Sequence, residues 1–150
     1  MSDIERIVWG AFGGIAIYIV GQLLSKFFIE PLHELRKTVG EVRFNLAFHG
    51  PTIHTSIGRS KESSDAAREA LLKSSCDLIA KLYSVPIYEA TRLFSFGVLP
   101  PKKEIEDAAV QLRGLSTYVH QEGDKAYASS EIIGKRVAKI ERCLGLKPLA

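Results

Sequence analysis

The sequence predicts an all-α protein: a single N-terminal transmembrane helix followed by a cytoplasmic antiparallel helical bundle of four longer helices plus one short helix. Three observations carry this expectation. Residues 7–25 (IVWGAFGGIAIYIVGQLLS) hold no charge, the apolar residues of the remaining chain recur at steps of three and four, and no stretch of any length alternates in the manner of a half-buried strand. Two regions follow, an anchor over residues 1–30 and a helical-bundle domain over residues 31–150, the latter being close to the usual size of one domain.

The first element is the span. With Lys26 and the apolar run of residues 27–29 included, the segment 7–29 reaches roughly 34 Å as a helix, enough to cross a hydrocarbon core of about 30 Å with some tilt. A secretory signal peptide needs a basic leader, a shorter apolar core and a small-residue cleavage site. Here the leader carries Asp3 and Glu5 beside Arg6, the apolar run is longer, and Ser25, Lys26 and two Phe follow it. A buried helix of a soluble protein is the other reading, and Lys26 on an otherwise unbroken apolar surface opposes it, whereas at a membrane interface its ammonium can snorkel to water. Trp9 and Tyr18 are residues of the interfacial type, although only Trp9 lies near an end.

Basic residues set the expected orientation. Only Arg6 and the amino terminus precede the span, while Lys26, Arg36, Lys37 and Arg43 follow it. The positive-inside rule therefore puts the amino terminus outside and the bulk of the chain in the cytoplasm, and the short, uncleaved amino-terminal anchor points to the inner (plasma) membrane of a bacterial cell. Within the span, Gly10 and Gly14 form a G-x-x-x-G pair, and Gly21 and Ser25 continue the same face. A stripe of small residues lets a second helix approach closely, so it is a candidate for packing against another span; Gly is also simply frequent in membrane helices.

The second helix begins at Pro31, which either starts a new helix or kinks a continuous one. Its stripe is Leu32, Leu35, Val39, Val42 and Leu46. Phe44 and Phe48 fall on a different face, so the end of this helix is expected to be contacted on two sides, by central placement or by a partner. Gly50-Pro51 is read as its end, and residues 50–64 as the longest loop, a candidate binding or mobile element. A helix over residues 65–83 follows, capped by Ser63 or Ser64, with Ala67, Ala70, Leu71, Leu78, Ile79 and Leu82 inside. Pro86 marks the next break.

A short helix over residues 87–96, closed by Gly97, leads through Pro100-Pro101 to a helix over 102–120 with Ile105, Ala108, Ala109, Leu112, Leu115 and Val119 inside. Its acidic start, Glu104, Glu106 and Asp107, suits the helix dipole. Gly123 interrupts the pattern. The last helix, over residues 130–144, presents Ile132, Ile133, Val137, Ile140 and Leu144 and is stopped by Gly145 and Pro148. Short connections make sequential helices antiparallel neighbours.

The net charge of +3 does not signal a nucleic-acid binder. Basic residues nevertheless gather in the last helix, where Lys135, Lys139 and Arg142 share a face. That face is a candidate for anionic lipid headgroups or an acidic partner; the plainer reading is a solvated helix surface. Cys76 and Cys143 lack C-x-x-C spacing and are expected to be buried small hydrophobes in a reducing compartment. His33, His49, His54 and His120 lack the spacing of a metal helix; His49 and His54 flank the long loop, where surface or capping roles outweigh a metal or phosphate role. No nucleotide-binding or nucleophile motif occurs, so no catalytic residue, metal or cofactor is expected.

Three function classes remain. The leading expectation is a non-enzymatic interaction or scaffold protein, held at the membrane by its span, that binds lipid and either itself or another membrane protein, with no nucleic acid and no small-molecule substrate. The alternative is a small membrane-active effector, holin-like or toxin-like, that oligomerises through its Gly-rich span; a span whose only polar residues are Gln22 and Ser25, and a domain a pore would not need, oppose it. An enzyme with a site built from dispersed side chains is the third.

Overall fold

The computed structural model describes residues 3–55, 60–94, 99–119 and 124–148. All regular structure among them is helical: α1 Asp3–Leu24, a π-helical turn Ser25–Ile29, α2 Glu30–Phe48, α3 Gly50–His54, α4 Lys61–Ser84, α5 Tyr88–Phe94, α6 Lys102–Tyr118 and α7 Asp124–Cys143.

Between the alternatives for Pro31, the chain takes the continuous one, and Asp3–Phe48 is a single helical rod of 46 residues. Proline cannot donate a backbone hydrogen bond, and its ring crowds the carbonyl four residues earlier, here that of Phe27. The turn that contains Phe27 is the widened one: the Glu30 N–H reaches back to the Ser25 carbonyl, one residue further than in an α-helix. The π-turn thus accommodates Pro31 without breaking the rod.

α4 packs against both α2 and α6, and α6 against α7. The stripes predicted for α2, α4 and α6 supply the core: Leu35, Val42 and Leu46; Ala67, Leu71, Leu78 and Leu82; and all of Ile105, Ala108, Ala109, Leu112, Leu115 and Val119. Leu32, Val39 and Ile79 pack partly buried at its edge. Polar bonds fix the register between neighbours. Near the start of α2, the Glu34 carboxylate lies 3.2 Å from Lys81 near the end of α4; further along α2, the Asn45 amide donates to the Ser74 hydroxyl at 2.8 Å, earlier in α4. The Lys81 hydrogen bond and charge hold the Glu34 carboxyl below its ordinary pKa. The buried Ser75 hydroxyl donates to the Ala109 carbonyl at 2.8 Å, and the Tyr83 hydroxyl to Glu106 at 3.0 Å. Small serines on the inner face of α4 let its neighbours approach while their hydroxyls stay satisfied.

Several boundaries differ from expectation. Gly50-Pro51 opens α3 rather than a loop, because proline suits the first turn of a helix, where its missing N–H is not needed. α4 starts earlier than expected, capped by Ser60, whose hydroxyl accepts from the Ser63 N–H at 3.1 Å, while Ser64 is buried. The loop assigned to residues 50–64 is therefore largely helical at both ends, and residues 56–59 lie outside the described residues. α7 begins at Asp124 rather than near residue 130 and ends as predicted: Gly145 has φ +63°, with Leu146 N–H bonded to the Glu141 carbonyl and Gly145 N–H to that of Arg142. The stops expected at Gly97 and Gly123 lie outside the described residues. Ile132, expected inside, is exposed.

Leu112, fully buried on α6 between α4 and α7, tests this core. Leu112→Ala should lower the unfolding free energy of the detergent-solubilised chain by about 2–5 kcal/mol, through lost transfer energy and the cavity left behind. Val110→Ala, on the exposed side of α6, should stay within about 0.5 kcal/mol in the same urea titration followed by circular dichroism.

Candidate functional site

α1 makes no buried residue at all, and its large apolar side chains, Ile7, Trp9, Phe12, Ile17 and Tyr18 among them, stand open along its length. Among the described residues it lies in the one helix long and apolar enough to cross a membrane. The one amide on it is satisfied within the helix, Gln22 donating to the Tyr18 hydroxyl at 3.3 Å. Gly10, Gly14 and Gly21 lie in regular α-helix, and a methyl group added at any of them would meet nothing within 4 Å. Their small size therefore answers no packing need inside this chain. Ser25, the fourth member of the stripe, opens the π-turn and is half-buried, so the regular spacing of the stripe ends there.

A second surface forms where α2 and α7, the outer helices of the row α2, α4, α6, α7, face one another. α3 touches α2, α4 and α7, and beside it lies a groove of about 900 Å³. Its apolar lining includes Leu46 from α2, Val137 from α7 and Leu146 beyond it, with His54, Glu141 and Arg142 supplying polar groups. A mostly apolar lining with a few polar groups can take an apolar side chain or a largely apolar ligand.

Phe44 and Phe48 stand on α2 near this region, 63% and 67% exposed, with ring centroids 5.6 Å apart, and His49 meets Phe48 edge-on at 5.0 Å. Among the described residues no element covers them, and α2 is an outer helix of the row rather than a central one. The sequence separates these rings from the buried stripe correctly; they are exposed because the stripe, not the aromatic face, is turned toward α4.

Lys135, Lys139 and Arg142 are all exposed on α7. Lys135 is paired with Glu131 at 2.6 Å, one turn earlier, and Arg142 lines the groove. Arg136 serves a different purpose. Its Nη1 donates to Gln111 Oε1 at 2.7 Å, its guanidinium lies 5.4 Å from the Tyr118 ring centre, and it packs where a Cβ at Gly114 would collide with it. A glycine in mid-helix opposite an arginine was the available signal for this clasp between α6 and α7.

Among the described residues no group of three His, Cys, Asp or Glu converges as a metal would require. The expectation for the cysteines divides: Cys143 is buried, whereas Cys76 is exposed on the outer side of α4. Burial, with the carboxylates of Glu104 and Asp107 adding to it, pushes the Cys143 thiol above its ordinary pKa.

No protein-family model, characterised protein or solved structure matches the chain.

The cysteines provide a direct check on this geometry. Maleimide should label Cys76 of the folded, detergent-solubilised chain at the rate of an exposed thiol and Cys143 only after denaturation, because Cys143 is both covered and held protonated. Equal labelling of both would contradict the packing of α7. Tyr88 gives a second check at high pH. Its hydroxyl donates to the Pro100 carbonyl at 2.7 Å, and burial, with the Glu89 charge adding to it, pushes its pKa up to about 12. A folded pKa raised above the unfolded value of about 10 stabilises the fold fully below that pH and is lost as pH rises through the folded value. Stability should therefore fall between about pH 10 and 12, and absorbance at the tyrosinate band should show Tyr88→Phe lacking the last-titrating step.

Proposed function

We propose that the chain is a single-pass, membrane-anchored helical interaction protein, non-enzymatic, that acts through protein–protein contacts at the cytoplasmic face of the membrane. The observation that carries this reading is α1: a long apolar helix, uncovered along its whole length, continuous with a domain whose own core is well packed. A bilayer is the solvent that suits such a helix. The excess of Lys26, Arg36, Lys37 and Arg43 over Arg6 favours the orientation with the amino terminus outside and the domain in the cytoplasm.

The domain is read as an antiparallel bundle on the opposed pairings of Glu34 with Lys81 and Asn45 with Ser74, and of Ser75 with Ala109 and Tyr83 with Glu106. Two features support association. The open Gly10, Gly14 and Gly21 edge of the span suits a second copy or another membrane protein, and the apolar groove beside Phe44 and Phe48 suits a helix or apolar segment of the partner.

The test is purification of the full-length, carboxyl-terminally tagged protein from alkali-washed membranes in mild detergent, with light scattering and mass spectrometry of the eluate, beside a Gly10→Leu/Gly14→Leu variant. The expected result is retention in the membrane pellet and a defined oligomer or stoichiometric partner that the variant loses. Release by alkali would overturn the anchor. A monodisperse monomer without partner, unchanged in the variant, would overturn association through the span.

A further inference from the structure

We infer that Ile87 and Leu93, which follow α4 between Ser84 and Phe94, form a second membrane contact seated in the headgroup region; this rests on α1 being the membrane anchor. The two residues are 72% and 82% exposed, among the most open large apolar side chains outside α1. Ile87 also has φ +47°, a left-handed conformation that a β-branched residue seldom adopts. The segment is tied down beneath them: Thr91 bonds back to the Pro86 and Ile87 carbonyls, Tyr88 donates to Pro100 and Arg92 Nε donates to the Leu99 carbonyl. A strained backbone therefore holds an isoleucine outward, and the core does not use it.

The occupant follows from where this segment sits. The Asn45–Ser74 pair puts Ser84, at the end of α4, about level with Leu35, and the Glu34–Lys81 pair lies on the same side, so α4 runs toward α1 as α2 leads away from it. From Leu35, the apolar end of the π-turn at Ile29 is six residues, about 9 Å, along the rod. Val85, Pro86 and Ile87 follow directly on Ser84. Ile87 thus leaves α4 at the end nearer to α1, on the side of the domain that faces the apolar surface of the rod. Beside it the Tyr83 ring carries the Lys102 ammonium at 4.4 Å, Glu106 accepts from the Tyr83 hydroxyl and lies 4.0 Å from that ammonium, and Lys103 is exposed. An amphipathic tyrosine and the exposed Lys103, able to snorkel, suit the boundary between headgroups and water. Lys135 and Lys139, by contrast, lie between the ends of α7.

The full-length chain with Cys76→Ser and Cys143→Ala tests this. Single cysteines at Ile87→Cys, Leu93→Cys and, at the far end of α4 some 36 Å away, Lys61→Cys are labelled with an environment-sensitive fluorophore. The proteins are reconstituted into vesicles of mixed zwitterionic and anionic phospholipid bearing a nitroxide at the headgroup. Labels at 87 and 93 should be quenched severalfold more than the label at 61, and Trp9 should be quenched by acyl-chain nitroxide. Quenched Trp9 with labels at 87 and 93 no more affected than that at 61 overturns the contact and leaves the anchor standing. A blue-shifted but unquenched label at 87 or 93 overturns it in favour of a protein cover, a second copy included. Trp9 beyond reach of the acyl-chain quencher removes the anchor and the contact together.

Discussion

Everything in this molecule is arranged around an apolar surface that its own domain does not cover. Fourteen large apolar side chains of α1 and the π-turn stand exposed. At about 1.5 kcal/mol each, keeping them in water would cost on the order of 20 kcal/mol, more than the roughly 5–15 kcal/mol by which a typical domain is stable. The stripes predicted to face inward from α2, α4 and α6 are used on one another, so they do not cover this surface. Among the described residues nothing in the chain covers it.

That condition shapes the junction. Pro31 lies where a flexible hinge could have separated the apolar helix from the domain, yet the π-turn absorbs the proline and the helix runs on. α2 is therefore placed by α1, α4 by α2 through Glu34 and Asn45, α6 by α4 through Ser75, and α7 by α6 through the Arg136 clasp. This chain of pairings also leaves α2 and α7 as outer helices with a groove between them. Arg136 Nε, buried without a hydrogen-bond partner, indicates that the clasp is held by shape and by its Gln111 and Tyr118 contacts rather than by full polar satisfaction.

Sequence periodicity was a good guide wherever one helix face meets one neighbour. α6 is the clearest instance, since all six residues of its predicted stripe are buried. The pattern said less where small polar residues do the packing: Ser74 and Ser75 are buried on α4 because their hydroxyls find Asn45 and Ala109, partners remote in sequence. Cys76, the next residue along, turns outward for the same helical reason, and a hydropathy scale cannot see that turn. Gly50-Pro51 serves equally to stop one helix and to start another, and Ser60, Ser63 and Ser64 form a run of similar caps in which sequence alone does not single out Ser60. The groove was illegible, since α2 and α7 are distant in the chain. So was the position of Ile87 and Leu93, which depends on which end of α4 lies beside α1.

An uninterrupted rod from Asp3 to Phe48 has a mechanical consequence. A linker of glycine and serine would let span and domain turn independently, whereas a helix resists twisting about its axis. Because α2 is locked into the bundle by its buried stripe and by Glu34 and Asn45, any turn of α1 about its axis carries the whole domain, Phe44 and Phe48 included, around with it. Span and domain are therefore one body in rotation: the direction in which the aromatic pair faces is fixed by the direction in which the face of α1 turns.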